Sequence, residues 1–336
     1  MHLDLVVPAL FGARTAAPAA ARTPALELLL ARGRRTGSAA AALEPWLCGL
    51  FGVADAAVPA GALTALARGE DTGGQHWLRA DPVHLRADRD CIRLVPSHAF
   101  ALAAEESAAL AGALEPLLAG RYRLFALASG EWSLRVDHGV DGEASGAGPI
   151  ELAGADVDPH LPPKPWHTLL TELQMALHRH PVNAARERRG EPAVNSVWLW
   201  GAGRLPSVAQ APWQSVSADD PVALGLARLA RTRHRSPGAG ALEWLERAPE
   251  DGRHLVVLDG LRGAHALGDQ EALERRLRAM EENWFAPLLA ALKSGRIGML
   301  SIHVPDGAAA FETVRGDLRR FWRRARPLAS YQRGAA

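Results

Sequence analysis

The stretch from Thr168 to Arg204, TLLTELQMALHRHPVNAARERRGEPAVNSVWLWGAGR, restricts the possible folds more than any other part of the chain. Apolar residues recur at helical spacing through Thr168–His178, and the His180-Pro181 step stops that helix. A basic segment follows, and then Asn195–Trp200 reads as a buried strand. Trp198 and Trp200 stand two residues apart, so in a strand both rings lie on one face. Gly201, Ala202 and Gly203 allow a tight turn, and Arg204 follows at the strand's carboxyl end. A helix feeding a buried strand that ends in a glycine turn is an α/β signature. In such folds ligands bind at the carboxyl ends of parallel strands.

The flanking pattern agrees. Beyond Trp166, strands at His254–Leu258 and Arg296–His303 are spaced by helices at Pro221–Arg231, Ala241–Ala248 and Gln270–Leu292, the last interrupted or kinked at Pro287. A final helix is expected over Phe311–Arg324. Alternating strands and helices predict a parallel sheet flanked by helices. Toward the N-terminus, Leu3–Leu10 reads as a buried strand. Thr23-Pro24 opens a helix over Ala25–Arg32 that ends at Gly33, and further helices are expected at Leu43–Phe51 and Gly61–Arg68. Trp77–Leu94 reads as two strands around a turn at Ala87–Asp90, with Asp81-Pro82 as a turn starter or strand edge. Glu105–Leu118 reads as a helix, and Arg121–Ala128 with Glu131–Asp137 as a hairpin. This block predicts an α+β subdomain over 75–138, inserted in a core made of 1–74 and 139–336. Gly139–Pro165 is the linker back.

With 336 residues, 48% of them hydrophobic, the chain can build one large core or two smaller ones. A formal charge of +1 gives no bulk attraction to nucleic acid or to an anionic membrane, so neither is an expected partner. Arg319, Arg320, Arg323 and Arg324 form a local exception. They read first as a solvated face, with contact to nucleic acid or an acidic partner as the other reading. Cys48 and Cys91 show no paired spacing, which fits unbridged thiols in a reducing compartment. MHLDLVVPALFGARTAA lacks a cationic start and a long apolar run, so the cytoplasm is the expected location.

The segment HPVNAARERRGEPAVNSVWLWGAG resembles the archaeal-type cofactor-independent phosphoglycerate mutases of the alkaline phosphatase superfamily. It is still more similar to a bacterial branch of that group, the RpfE-type regulatory proteins. The resemblance implies an alkaline-phosphatase-like α/β core with an inserted subdomain. It also implies a two-metal site of Asp and His with a Ser or Thr nucleophile, since paired cations stabilise both the attacking and the leaving oxygen in phosphoryl transfer. Residue by residue, that site is depleted. The loop after the first strand, Val6–Gly12, holds no carboxylate, and Asp4 lies inside the strand. Thr36 and Ser38 are the hydroxyls nearest the nucleophile region. In LDGLRGAHALGD, His265 and Gly268-Asp269 fall in matching places, but Leu261 stands where an Asp is expected, with Asp259 offset. Ile302-His303 replaces an Asp-His pair.

Two functions follow from the resemblance. In the first, the chain is a catalytically degenerate, phosphoglycerate-mutase-like protein with a regulatory or phosphometabolite-binding role and no cofactor. Its partner is then a small phosphorylated metabolite or another protein. Asn183, Arg186, Asn195, Trp198, Trp200, Gly201, Gly203 and Arg204 would form the anion pocket, with guanidinium forks and glycine amides as donors. The same residues also read as caps, core and turns. In the alternative, an active mutase or phosphatase holds Mn, Mg or Zn through the remnants Asp259, His265, Asp269 and His303.

Overall fold

The structure, a computed structural model, describes residues 1–11, 22–37, 39–53, 57–89, 91–138, 144, 146–206, 211–249 and 251–331. Its strands are β1 (His2–Val6), β2 (Arg34–Gly37), β3 (His76–Ala87), β4 (Ile92–Pro96), β5 (Tyr122–Ala128), β6 (Glu131–Val136), β7 (Ser196–Gly203), β8 (Ser215–Ser217), β9 (Arg233–Arg235), β10 (Arg253–Val257), β11 (Met299–Val304) and β12 (Ala309–Val314). The chain divides into two compact units, Met1–Gly52 with Val208–Ala336, and Val53–Ser207. Among the described residues no helix is long and apolar enough to cross a membrane.

The first unit is the expected mixed α/β layer. Its seven strands run in the order β2-β12-β11-β1-β10-β8-β9. β1 lies parallel between β10 and β11, and β8 and β9 continue the parallel set. β12 and β2 add an antiparallel edge. Leu3–Val6 of β1 are all buried, Asp4 included, as suits a central strand covered on both faces. Leu3, Leu5, Val256, Leu300 and Ile302 share one core with Leu26, Leu29, Trp244, Leu277 and Leu288 from the helices. The helix expected over Gln270–Leu292 is interrupted by a π turn at Glu281–Phe285. That turn has a use: the Glu281 carboxylate accepts from the amides of Ala25 (2.6 Å) and Leu26 (3.2 Å). It thereby caps the helix Pro24–Arg32, where Thr23 makes no side-chain cap bond.

The helix expected over Phe311–Arg324 is instead β12 followed by a 3-10 turn at Arg315–Arg319. Alternation decides it, because Phe311 and Thr313 are buried on one side while Glu312 on the other pairs with Arg34.

The second unit is an antiparallel sheet in the order β4-β3-β6-β5, with β7 also paired to β3. This corrects two expectations. The Asn195–Trp200 strand belongs to this antiparallel sheet rather than the parallel one, and it runs on through Gly203, so the glycines lie within the strand. The unit spans 53–207, wider than the block expected at 75–138. β3 explains both. Its residues Trp77–Val83 are all buried, so it needs neighbours at both edges. β6 and β4 share one edge and β7 fills the other. Asp81 and Pro82 therefore lie in mid-strand, not at a turn. The basic segment after Pro181 is a helix, Pro181–Arg188, whose first turn is capped by the His180 ring.

Candidate functional site

The cluster predicted around β7 is brought together, and apart from exposed Arg204 its polar side chains are spent on hydrogen bonds within the fold. The Asn183 amide donates to the carbonyls of Leu177 (2.8 Å) and Val194 (2.7 Å) and accepts from the Val194 amide (2.8 Å). Arg186 has a fully buried side chain. It donates to the carbonyls of Pro192 and Ala101, pairs with Glu106 and packs over Phe100. Asn195 holds both the amide and the carbonyl of Leu85, extending the β3–β7 ladder by one side chain. The Trp198 indole donates to Ala147 O and the Trp200 indole to Asp81 Oδ2 (2.7 Å). Asp81 is also paired with Arg79, which in turn donates to Thr64. Burial pushes the Asp81 carboxyl above its ordinary range, against the pull of Arg79 and the indole N–H. Arg204 donates to Gly74 O.

The glycines serve packing. A Cβ on Gly201, whose φ is +61°, would lie 2.5 Å from Ala60 Cβ, and one on Gly203 would lie 2.8 Å from Pro59 Cβ. They let the start of the helix Ala60–Arg68 lie against β7.

In the first unit, the carboxyl ends of the parallel strands hold a different constellation. Past β10 the chain turns at Asp259 into a short helix, Arg262–Ala266. Past β8 it reaches Asp220, whose carboxylate accepts from the Ala223 amide and caps the helix Pro221–Leu229. The Arg262 guanidinium lies between them. Its Nη2 donates to both oxygens of Glu44, at 2.8 and 3.0 Å, and its Nη1 is 3.9 Å from Asp220. All three side chains are buried. Burial disfavours the charge on Arg262, but Glu44 and Asp220 outweigh it and hold the guanidinium above its ordinary pKa. Burial, then the charges of Glu44 and Asp259, push the Asp220 carboxyl up to about 7. Burial likewise raises Asp259, against the pull of Arg262.

The four expected metal remnants do not converge. Asp259 faces Arg262, and His265 is buried on the short helix that follows. Asp269 caps the helix Gln270–Met280 through the Ala272 amide. His303 lies beside Asp4, with Nε2 and Oδ1 2.9 Å apart. Asp4 itself is fully engaged in mid-strand. Burial works against its charge, yet hydrogen bonds from His303, Arg253 (2.6 Å) and Trp213 (2.8 Å) hold it well below the usual carboxylate range. In the loop after β1, the Ala9 amide bonds to both carboxylate oxygens of Asp306, with φ +62° at Ala9. Thr36 lies on edge strand β2, and Ser38 is outside the described residues. Among the described residues no three His, Cys, Asp or Glu side chains are grouped so as to hold a metal ion.

Among the described residues the donors therefore do not fit a two-metal centre. A guanidinium is always protonated and has no lone pair to offer. Arg262 supplies fixed positive charge among carboxylates without coordinating anything. Sequence reading missed Arg262, Glu44 and Asp220. Asp220-Pro221 reads as an ordinary helix start, and Arg262 lies inside a motif whose resemblance rests on Asp and His positions alone.

No family model matches the chain. A probable 2,3-bisphosphoglycerate-independent phosphoglycerate mutase of Geobacter sulfurreducens is 35% identical over 65 residues, which is 18% of this chain and 16% of that protein. The 2,3-bisphosphoglycerate-independent phosphoglycerate mutase of Methanosarcina mazei is 34% identical over 62 residues, 17% of this chain and 16% of that one. The chain thus matches under a fifth of the length of these curated relatives. Among solved structures, the PH0037 protein from Pyrococcus horikoshii is similar with a TM-score of 0.55 at 15% identity, covering 93% of this chain and 87% of that one. A cofactor-independent phosphoglycerate mutase from Thermoplasma acidophilum gives a TM-score of 0.49 at 19% identity, covering 100% and 95%. The Pyrococcus likeness shows a shared α/β fold. With the curated matches it points to a fold of the cofactor-independent phosphoglycerate mutase type.

Proposed function

We propose that this chain is a catalytically degenerate, phosphoglycerate-mutase-like protein that acts by binding, as a cytoplasmic regulatory protein of the RpfE type. The observation that carries the reading is Arg262. Metal-assisted phosphoryl transfer needs carboxylates free to ligate two cations beside an activated hydroxyl. Here the carboxylates beyond β8 and β10 face a guanidinium, and Glu44 is engaged by it at both oxygens. Asp4 is committed to His303, Arg253 and Trp213. The curated relatives carry mutase names, and this chain combines a fold of their type with carboxylates whose oxygens, the ligands Mg²⁺ and Mn²⁺ prefer, are turned to a guanidinium instead. What remains is recognition, of a small phosphorylated metabolite or of a protein, with no cofactor. The inward hydrogen bonds of Asn183, Arg186 and Trp200 favour a ligand site elsewhere.

The test is an assay of 3-phosphoglycerate interconversion by the full chain, stripped of metal and then incubated with Mn²⁺, Mg²⁺ or Zn²⁺, with bound metal measured in parallel. The reading expects neither stoichiometric metal nor turnover. Metal-dependent turnover would overturn it and make the active-mutase alternative correct.

A further inference from the structure

We infer that the edge of the parallel sheet beside β2 and β12 carries a nucleotide-binding groove. The segment after β12 runs back past the junction of the helix Pro24–Arg32 with β2. Arg320 donates to Arg32 O (3.2 Å) and Arg323 to Gly33 O (3.0 Å). Further on, Leu328 is buried, and Tyr331 donates to Glu27 O (3.2 Å) with its ring edge-on to Phe311. The segment is thus tied down at both ends. Between the ties it encloses, with Arg34 and Arg35, a groove of about 880 Å³. That is within the range of small-molecule sites, roughly 300–1,000 Å³.

The lining is one-sided in charge. It holds Arg34, Arg35, Arg323, Arg324 and Arg326 and no acidic residue, in a chain whose net charge is +1. Arg34 is paired with Glu312 and Arg323 with main chain. Arg35 lies over the Phe311 ring, 5.7 Å from its centroid. Among the described residues, Arg35, Arg324 and Arg326 have no ion-pair partner, so their charges repel one another until an anion arrives. Forked guanidinia suit phosphate oxygens.

The second ingredient is aromatic. Trp322, on the groove wall, is 67% exposed, and its neighbour Phe321 is 78% exposed. The two rings stand edge to face, 5.3 Å apart, and form one contiguous exposed apolar patch, the kind of surface that marks a binding site. A flat ring beside guanidinia selects a ligand carrying both a base and a phosphate. Bare phosphate would leave Trp322 unused, and a membrane surface would not enter a concave groove. The ligand chemistry is therefore a nucleotide, free or within a single strand. The inference is independent of the reading of Arg262, because β11 and β1 separate β12 from β10 in the sheet.

The test is fluorescence anisotropy of a short fluorescein-labelled oligothymidylate with the full chain over a range of salt, with AMP and heparin as competitors. Binding is expected to weaken with salt, with a slope of roughly 0.7 per phosphate contacted. Trp322→Ala should weaken it by roughly five-fold or more, the lower end of a lost base stack, and Arg35→Ala with Arg324→Ala should flatten the salt slope. These side chains are at the surface, so circular dichroism of the variants should match the parent. Competition by AMP at comparable concentration assigns the groove to free nucleotides; failure of AMP to compete assigns it to strands. Absence of binding at low salt would overturn the inference. So would heparin competing fully while Trp322→Ala binds like the parent, which would mark a general polyanion or membrane-surface patch.

Discussion

Removing the Arg262 guanidinium leaves Glu44, Asp220 and Asp259 facing one another without a counter-charge. Truncating one partner of a buried ion cluster costs about 3–5 kcal/mol, because the other charges stay buried. Arg262→Ala is expected to lose stability on that scale in urea unfolding, and a loss below about 1 kcal/mol would contradict the geometry. Asp220 makes a separate prediction about pH. Its carboxyl is raised from 3.8 to about 7, so the folded state binds its proton more tightly than the unfolded chain does. The stabilisation is therefore present at low pH and is lost as pH rises from the ordinary carboxylate range through about 7. Asp220→Asn keeps an N-cap acceptor and removes the titration. It should unfold with a flatter pH dependence across that window, read from urea midpoints at successive pH values. An unchanged profile would mean that Asp220 titrates normally.

At the scale of elements, glycine positions separate packing from mere helix propensity. A Cβ on Gly61 would lie 2.4–2.5 Å from the main chain of Leu78, which cannot move aside cheaply. Gly61→Ala should destabilise by about 1–3 kcal/mol or more, the range of core overpacking. Gly112, within the helix Ala104–Leu118, has nothing within 4 Å of its virtual Cβ. Gly112→Ala should instead stabilise by up to about 1 kcal/mol through helix propensity. Melting temperatures of the two variants should move in opposite directions.

The same distinction explains what the sequence could convey. Periodicity located the strand at Asn195–Trp200 and the helix before it, because burial writes a pattern. It could not say which sheet the strand joins. A Gly-x-Gly step looks alike whether it turns the chain or admits a helix beside it, and here Gly201 and Gly203 admit Ala60 and Pro59. Strands β2 and β9 went unseen because their residues are mostly polar and exposed. In the candidate site, Asp259 and His303 were legible by position, but Arg262 was not, since only three-dimensional proximity ties it to Glu44 and Asp220.

At the scale of the whole molecule, the two possible boundaries of the inserted unit make different physical objects. A fragment covering 53–207 contains β3 with neighbours at both edges, because β7 is included. It also contains Trp166, Leu169, Leu173, Leu177 and Val194, which complete the core around Leu110, Leu114, Trp132 and Leu134. A fragment covering 75–138 has the hairpin and one helix, but it leaves one edge of β3 open and strips the residues from Trp166 to Leu199 from that core. An apolar strand with an unpaired edge invites association with other chains. The 53–207 fragment should therefore fold alone and unfold in one cooperative urea transition, with near-ultraviolet circular dichroism from its buried tryptophans. The 75–138 fragment should aggregate or lack that transition. If the shorter fragment instead folds cooperatively as a monomer, β7 is an accessory to the unit and not part of its core, and the boundary belongs near residues 75 and 138 after all.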